Sequence, residues 1–512
     1  MVSTSTKGMY QGPAVKPLLR AAAMGCVLTS GLAFGQNLAE NHVPADLPAA
    51  PSAVARLEVQ AGSSSSSGAT PVAFPTRDHA TPDALPLSLD DAIKLGELNN
   101  TQLAVQKQQE RYVAGQILTV GNALLPDIQA SAYSRAQEID LVALGFKPSA
   151  LAGIDIPGFT NIVIPEIVKV NTTNAQVSLS QTFFNVPAYF LYRAARKAGD
   201  AAAWDTKNQL GNVVLNVGTV YLEALADQAQ IDNARALVKQ DELVLEHARA
   251  SQAAGVGVHI DVLRAQVQLQ QEQQTLIADE NAFAKDKIAL NRAMGIAADQ
   301  QLILTDKVPF ASFEALSIDD ARALAYTRRK DLLSLTAQLG VADETRKAVR
   351  YQYLPTVGVS GYYGVLGVTG GSYHGDFTAI GSLKFPIFQE GQLRGEREVA
   401  SAQLTALRQQ IAGLKTQIEA EIRTSMLDVQ SSAELVNVAR SNVALSQQEL
   451  DDATLRFTAG VDDNLAVVRA QASLAGAQAR VVQSEFQYNQ AKLELARRTG
   501  VVETQYKQYL GH

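Results

Sequence analysis

The sequence predicts a duplicated α+β chain in which long coiled-coil helices are joined to pairs of amphipathic strands. Three observations predict it. Two stretches without proline, 188–308 and 387–512, cover 121 and 126 of the 512 residues. Between 125 and 185, and again between 354 and 388, the hydrophobic period changes from helical to alternating. The pentad Ser88-Leu89-Asp90-Asp91-Ala92 returns 229 residues later as Ser317-Ile318-Asp319-Asp320-Ala321, and Leu125-Pro126 returns as Leu354-Pro355 at the same displacement.

Composition narrows the function classes. Hydrophobic residues make up 46% of the chain and charged ones 19%, which is enough apolar surface to fold. The net charge of −7, without long single-sign runs, offers no phosphate-tracking surface, so nucleic acid is not an expected partner. One cysteine, Cys26, and six scattered histidines assemble neither a disulfide framework nor a local metal site.

At the N-terminus, Lys7, Lys16 and Arg20 precede an apolar stretch from Ala21 to Phe34, and Ala33-Phe34-Gly35 presents small residues for cleavage. Residues 1–35 read as a signal peptide. The apolar stretch is short of the ~20 residues a spanning helix needs. Ala-Met-Gly before Cys26 makes a poor lipidation box. Residues 36–86 hold seven prolines and the Ser63–Ser67 run, the composition of a linker.

Repeat 1 covers 87–315 and repeat 2 covers 316–500, with a tail at 501–512. Each repeat has the order short helix, strand pair, long helix, short helix. Helices are expected at 89–123, 188–254 and 258–294, then at 318–353, 389–458 and 463–499. Both long helices are rich in Ala, Gln, Leu, Glu and Arg, which lose little entropy in a helix. Leu404, Leu407, Ile411, Leu414, Ile418, Ile422, Met426, Val429, Val436, Val443, Leu450 and Phe457 recur at three, four and seven, the spacing of a coiled-coil seam. Two short helices stacked end to end match one long helix. Ser88 with Asp91, and Ser317 with Asp320, have cap spacing, while Gly255, Gly295, Gly460 and Gly500 sit where helices end.

The strand pairs fall in 125–185 and 354–388. Ala175, Val177, Leu179 and Phe183 alternate with Asn174, Gln176, Ser178 and Thr182, and Ile128, Ala130 and Ala132 alternate with polar neighbours. In repeat 2, Val357, Val359 and Tyr363 share one face, as do Phe377, Ala379, Leu383, Phe385 and Ile387, a pattern that Ile380 interrupts. Downstream displacements of 204 to 205 put about 25 extra residues in the first pair, at Gly145–Pro165. Sixteen of the 31 aromatics lie in 125–192 and 351–388, as girdles at a bilayer interface require; an ordinary sheet with one solvated face is the plainer alternative.

The segments LSLDDAIKLGELNNTQLAVQ, LLPDIQASAYS, LKFPIFQEGQLRGEREVASAQ and RFTAGVDDNLAVVRAQASL, in this order, resemble the TolC-type outer-membrane efflux proteins over about 87–500. The resemblance implies an α+β membrane protein in the bacterial outer membrane with a large periplasmic part. It implies a homotrimer whose chains each give four strands to one β-barrel among outer-membrane lipid, continuous with a periplasmic α-helical barrel. It further implies a periplasmic adaptor protein and an inner-membrane pump or ABC transporter as partners, for efflux or type I secretion, with no cofactor. The rival reading is a periplasmic adaptor or coiled-coil scaffold, which is also exported and rich in helical hairpins. Such a chain should show one hairpin interrupting a β-domain, not two hairpins with two strand pairs.

The same resemblance points to the turns between long and short helices. Gly255, Val256, Gly257, Gly460 and Val461 would be tips that meet the adaptor. Asp462, Asp463 and Leu465 would ring a periplasmic constriction, the simpler reading being charge that caps the next helix. Arg469 departs from the family pattern, where an acid is usual, and could bond Asp462 or Asp463 to hold the mouth shut; Arg264 occupies the equivalent place in repeat 1. Catalytic residues are not expected. Gly255-x-Gly257 lacks the third glycine and the strand of a dinucleotide fingerprint, and no Ser/His/Asp arrangement is legible.

Overall fold

The computed structural model describes residues 81, 83–145, 166–255, 257–306, 311–313, 316–459, 461 and 464–511. The expected signal peptide, most of the linker and the insertion beyond Gly145 lie outside the described residues. All those described belong to one compact unit, 71–512.

The elements follow in the order β1 (Leu85–Leu87), α1 (Leu89–Asn99), α2 (Thr101–Gly121), β2 (Asp127–Asp140), β3 (Ile167–Phe184), α3 (Val186–Ala253), α4 (His259–Met294), β4 (Leu302–Leu304), α5 (Ile318–Arg328), α6 (Lys330–Arg350), β5 (Thr356–Val368), β6 (Tyr373–Lys384), α7 (Glu390–Thr458), α8 (Asn464–Arg498) and α9 (Val502–Leu510). The long helices α3 and α7 have 68 and 69 residues. At ~1.5 Å per residue each extends ~100 Å. Of the seam positions on α7, Leu404, Ile418, Ile422, Val429, Val436 and Leu450 are buried and the other six are half-buried. Among the described residues no helix is long and apolar enough to cross a membrane.

Ser88 and Ser317 cap α1 and α5, each accepting a hydrogen bond from the backbone N–H three residues on. The helices expected at 89–123 and 318–353 are each broken, at Asn100 and at Arg329, which have extended ψ values of 126° and 121°. The cause is tertiary. Gly295, left-handed at φ +76°, ends α4 against the backbone of Asn99 and Asn100, and Gly500, at φ +78°, ends α8 against Arg328 and Arg329. Asn100 then starts the next helix by accepting from the N–H groups of Gln102 and Leu103, while its Nδ2 donates to the Ala293 carbonyl at 3.0 Å. The short helices thus meet end to end where the long one runs unbroken.

The principal core gathers α1, α3, α4, α8 and α9 around Tyr221, which is fully buried. Its hydroxyl donates to the Leu87 carbonyl at 2.9 Å and to Asp306 Oδ2 at 3.0 Å, and Asp306 also accepts from the Leu89 N–H at 2.8 Å. Strands β1 and β4 pair in parallel beside it, Leu85 against Leu302. The residues expected only as a tail form α9, whose Val502 and Leu510 are fully buried. Its Tyr506 hydroxyl donates to Asp90 at 2.7 Å, and Lys507 also bonds Asp90, so α9 ties to α1.

The other four strands form one antiparallel sheet in the order β2-β3-β5-β6. β6 ends at Lys384, so Phe385 and Ile387 fall beyond it. Pro386 has no N–H to continue the ladder.

Candidate functional site

Two regions stand out: the four-stranded sheet and the hairpin tips at the opposite ends of α3 and α7. In the sheet, the register sorts side chains into rows. Ile128, Leu179, Gly361 and Ala379 stand side by side, as do Ala130, Val177, Tyr363 and Phe377, and then Ala132, Ala175, Val365 and Gly375. The rows between them are polar, Gln129, Ser178, Tyr362 and Thr378 followed by Ser131, Gln176, Gly364 and Asp376. Because side chains alternate across a sheet, the apolar rows share one face and the polar rows the other. Ile380 stands on the polar face beside Ser360 and Ser180, which accounts for its break in the apolar pattern.

The apolar face is exposed: Tyr363 is 69% and Phe377 70% accessible. On the polar face the Tyr362 hydroxyl donates to Asp376 at 3.1 Å. The four strands have 14, 18, 13 and 12 residues, more than the ~9–11 that a tilted strand needs to cross a bilayer. The outer edges, β2 and β6, pair with no other described strand.

At the first tip α3 closes through Gly255, left-handed at φ +76°, and the Gly257 N–H donates back to the Ser251 carbonyl at 3.0 Å. A Cβ on Gly257 would press on Ser251 Cβ at 3.0 Å and the Gln252 nitrogen at 3.1 Å, so the chain turns tightly there. Leu245, Ala248, Val262 and Ala265 pack beneath it. Arg264 pairs with Asp261 within the first turn of α4 at 3.5 Å.

The second tip also has an apolar cluster beneath it. Leu450, Val467, Ala470 and Leu474 form its core, and the exposed Val461 donates from its N–H to the Arg456 carbonyl at 3.1 Å. Leu465 is half-buried at the start of α8, and Arg469 is exposed with no ion pair to a described residue. Val256, Gly460, Asp462 and Asp463 lie outside the described residues, so the expected bond from Arg469 to either acid falls there too.

Sequence reasoning missed a set of carboxylates between α3 and α4, of which Asp241 is buried and Asp227, Glu272, Asp279 and Asp286 are half-buried. Asp241, only 4% exposed, has its carboxyl pushed up to about 6, by burial first and then by Glu272 across the seam. Asp286 is pushed up to about 7 by burial and by Asp227 and Glu223 opposite. Burial and Asp227 also raise Asp279. The signal was present in the seven-residue spacing of Asp227, Ala234 and Asp241. Among the described residues no group of His, Cys, Asp or Glu is arranged to hold a metal.

Residues 92–296 and 322–501 match the model of the outer membrane efflux protein family. The chain is 22% identical over 431 residues to the pyoverdine export outer membrane protein OpmQ of Pseudomonas putida, covering 80% of this chain and 85% of that one. It is 25% identical over 332 residues to the toluene efflux pump outer membrane protein TtgF of Pseudomonas putida, covering 60% and 65%. In fold it resembles the outer membrane protein VceC of Vibrio cholerae, with a TM-score of 0.64 at 17% identity over 80% of this chain and 96% of that one. It also resembles the channel protein CusC, with a TM-score of 0.67 at 13% identity over 85% and 99%.

Proposed function

The chain belongs to the outer membrane efflux protein family, and on that premise we propose that three copies close into one passive duct, a β-barrel in the membrane continuous with a helical barrel in the periplasm. The protein is an outer-membrane efflux channel with a large periplasmic part; the adaptor reading finds no support in the family match. The observation that carries the trimeric duct is the sheet. Its apolar rows lie exposed on one face, its polar rows line the other, and both edges are unpaired among the described residues. Four strands cannot close on themselves, and an open edge cannot stand in hydrocarbon, so β6 of one chain pairs with β2 of the next.

Each chain reads as two tandem repeats, 87–315 and 316–500, behind a signal peptide at 1–35. The helix tips at Gly255, Val256 and Gly257, and at Gly460 and Val461, meet a periplasmic adaptor. That adaptor links the duct to an inner-membrane pump or ABC transporter, which supplies the energy and selects the cargo. Asp462, Asp463 and Leu465, three times over, ring the periplasmic mouth. Extraction from outer membranes in detergent, followed by mass measurement and planar-bilayer recording, tests this. A complex of three chains giving discrete current steps is the expected result; a water-soluble monomer without current refutes it.

A further inference from the structure

A basic cavity lies where the sheet meets the helices. α3 starts two residues after β3 ends, α6 ends six residues before β5, and α7 starts six residues after β6. Between these helix ends is a cavity of about 620 Å³, lined among others by Phe190, Arg346, Lys347, Arg350, Tyr351 and Arg397. The rings of Phe190 and Tyr351 stack at 5.3 Å and 14°, giving it a firm aromatic wall.

Its charges do not cancel. Arg346 and Lys347 share Asp343, at 3.0 and 2.8 Å, and Lys347 shares Glu344 with Arg193, at 3.0 and 3.1 Å. Arg350 and Arg397 have no ion pair with any described residue, and the Nε of Arg397 is buried with no hydrogen-bond acceptor. A buried guanidinium N–H without an acceptor is costly, and an anionic oxygen relieves it.

The fold does not require these cations. Displaced by 229 residues, Arg346, Lys347 and Arg350 correspond to Ile117, Leu118 and Gly121 on α2. α2 and α6 both have 21 residues and both lead into a strand, so the same junction forms without the charge. Tyr353 on the cavity wall is exposed, as are Phe385 and Phe388 in the segment between β6 and α7, Phe388 by 91%. Aromatics next to arginines, at the end of membrane-spanning strands, mark the headgroup layer.

We propose that this cavity binds the phosphate of a phospholipid headgroup in the periplasmic leaflet, with Arg350 and Arg397 as its principal donors. The assignment rests on the duct reading, which puts the sheet in the membrane and the helices in the periplasm. A cavity of this volume admits a glycerophosphate group.

The test is native mass spectrometry of the full-length protein in detergent, titrated with phosphatidylglycerol. The wild type should retain lipid adducts, and R350Q/R397Q should need at least tenfold more lipid for the same occupancy. R350K/R397K, which keeps the charge, should fall between them. Equal binding by all three proteins overturns the site. Displacement of the lipid by millimolar inorganic phosphate, with tight phosphate binding in its absence, assigns the cavity to a free anion and overturns the lipid assignment. Planar-bilayer current is recorded on the same samples. Loss of current in the wild type indicts the duct reading, whereas intact current with unchanged lipid binding in R350Q/R397Q indicts the site alone.

Discussion

Arg440 of α7 reaches Glu485 of α8 at 2.6 Å, in the place where, 205 residues earlier, Arg235 of α3 meets Glu280 of α4 at 2.8 Å. The two hairpins can therefore be superposed residue by residue, and what differs between them stands out. Asp227, Asp241, Glu272, Asp279 and Asp286 in the first correspond to Ser432, Ser446, Ala477, Ser484 and Ala491 in the second. One seam holds carboxylates and the other holds small uncharged residues.

That difference makes the first hairpin pH-sensitive. The folded-state values of Asp241 and Asp286, about 6 and about 7, lie above the unfolded value, so folding favours the protonated acids. The stabilisation is complete below the unfolded value and is lost as pH rises through 6 to 7. Asp286→Asn, which keeps the shape without the charge, should stabilise α3 and α4 at pH 8 by about 1 kcal/mol after allowance for solvent screening, and do little at pH 3, below the unfolded value. Hydrogen exchange at the two pH values measures this. Amides of α7 and α8 should not respond, and an equal response in both hairpins would contradict the seam as the cause.

The glycines that break the short helices should be far less replaceable than the one at the tip. At Gly295 an added Cβ runs into the Asn99 carbonyl, and at Gly500 it comes within 2.7 Å of the Arg329 nitrogen. Gly255 has a similar left-handed φ but open space around it. Gly255→Ala should therefore cost only the ~1 kcal/mol of the left-handed backbone, and Gly295→Ala or Gly500→Ala several times more. Thermal unfolding ranks them, and equal losses at all three sites would mean that the close approach carries no energy.

Tyr221 links the start of the chain to its principal core through one hydroxyl. Tyr221→Phe preserves the packing but leaves the buried Leu87 carbonyl and Asp306 each one donor short. Both acceptors keep another donor, the Thr305 N–H at 3.1 Å and the Leu89 N–H at 2.8 Å, so a loss of about 1 kcal/mol is expected. Chemical denaturation in detergent checks it, and an unchanged midpoint would show that Thr305, whose hydroxyl also donates to the Leu87 carbonyl at 3.2 Å, suffices alone.

The parts of the fold that follow local rules were legible in the sequence. Val429, Val436, Val443 and Leu450 reveal their seam because spacing alone sets which side of a helix is buried. The strand faces are visible for the same reason, since Ala175, Val177 and Leu179 alternate with polar neighbours. Asn100 and Arg329 were not legible as breaks, because glycines some 170 to 195 residues away impose them. The basic cavity was hidden because Phe190, Arg350 and Arg397 come from three helices that only the folded chain brings together. Its one sequence trace was the change from Ile117, Leu118 and Gly121 to Arg346, Lys347 and Arg350.

The mouth gives the last prediction. Arg469 projects from the exposed face of α8 one turn or more beyond Leu465, with no described carboxylate paired to it. If it binds Asp462 or Asp463 in the closed form of the proposed trimer, each chain would contribute one latch, and three latches would open together. Arg469→Ala should then raise single-channel conductance and admit large antibiotics, and Asp462→Ala with Asp463→Ala should do the same. The two lesions combined should add nothing, because both remove one interaction. An Arg469→Ala channel with wild-type conductance and unchanged antibiotic exclusion rules out the latch. It would leave the proposed ring of Asp462 and Asp463 as a filter for cations, which is measured separately by the reversal potential in a salt gradient.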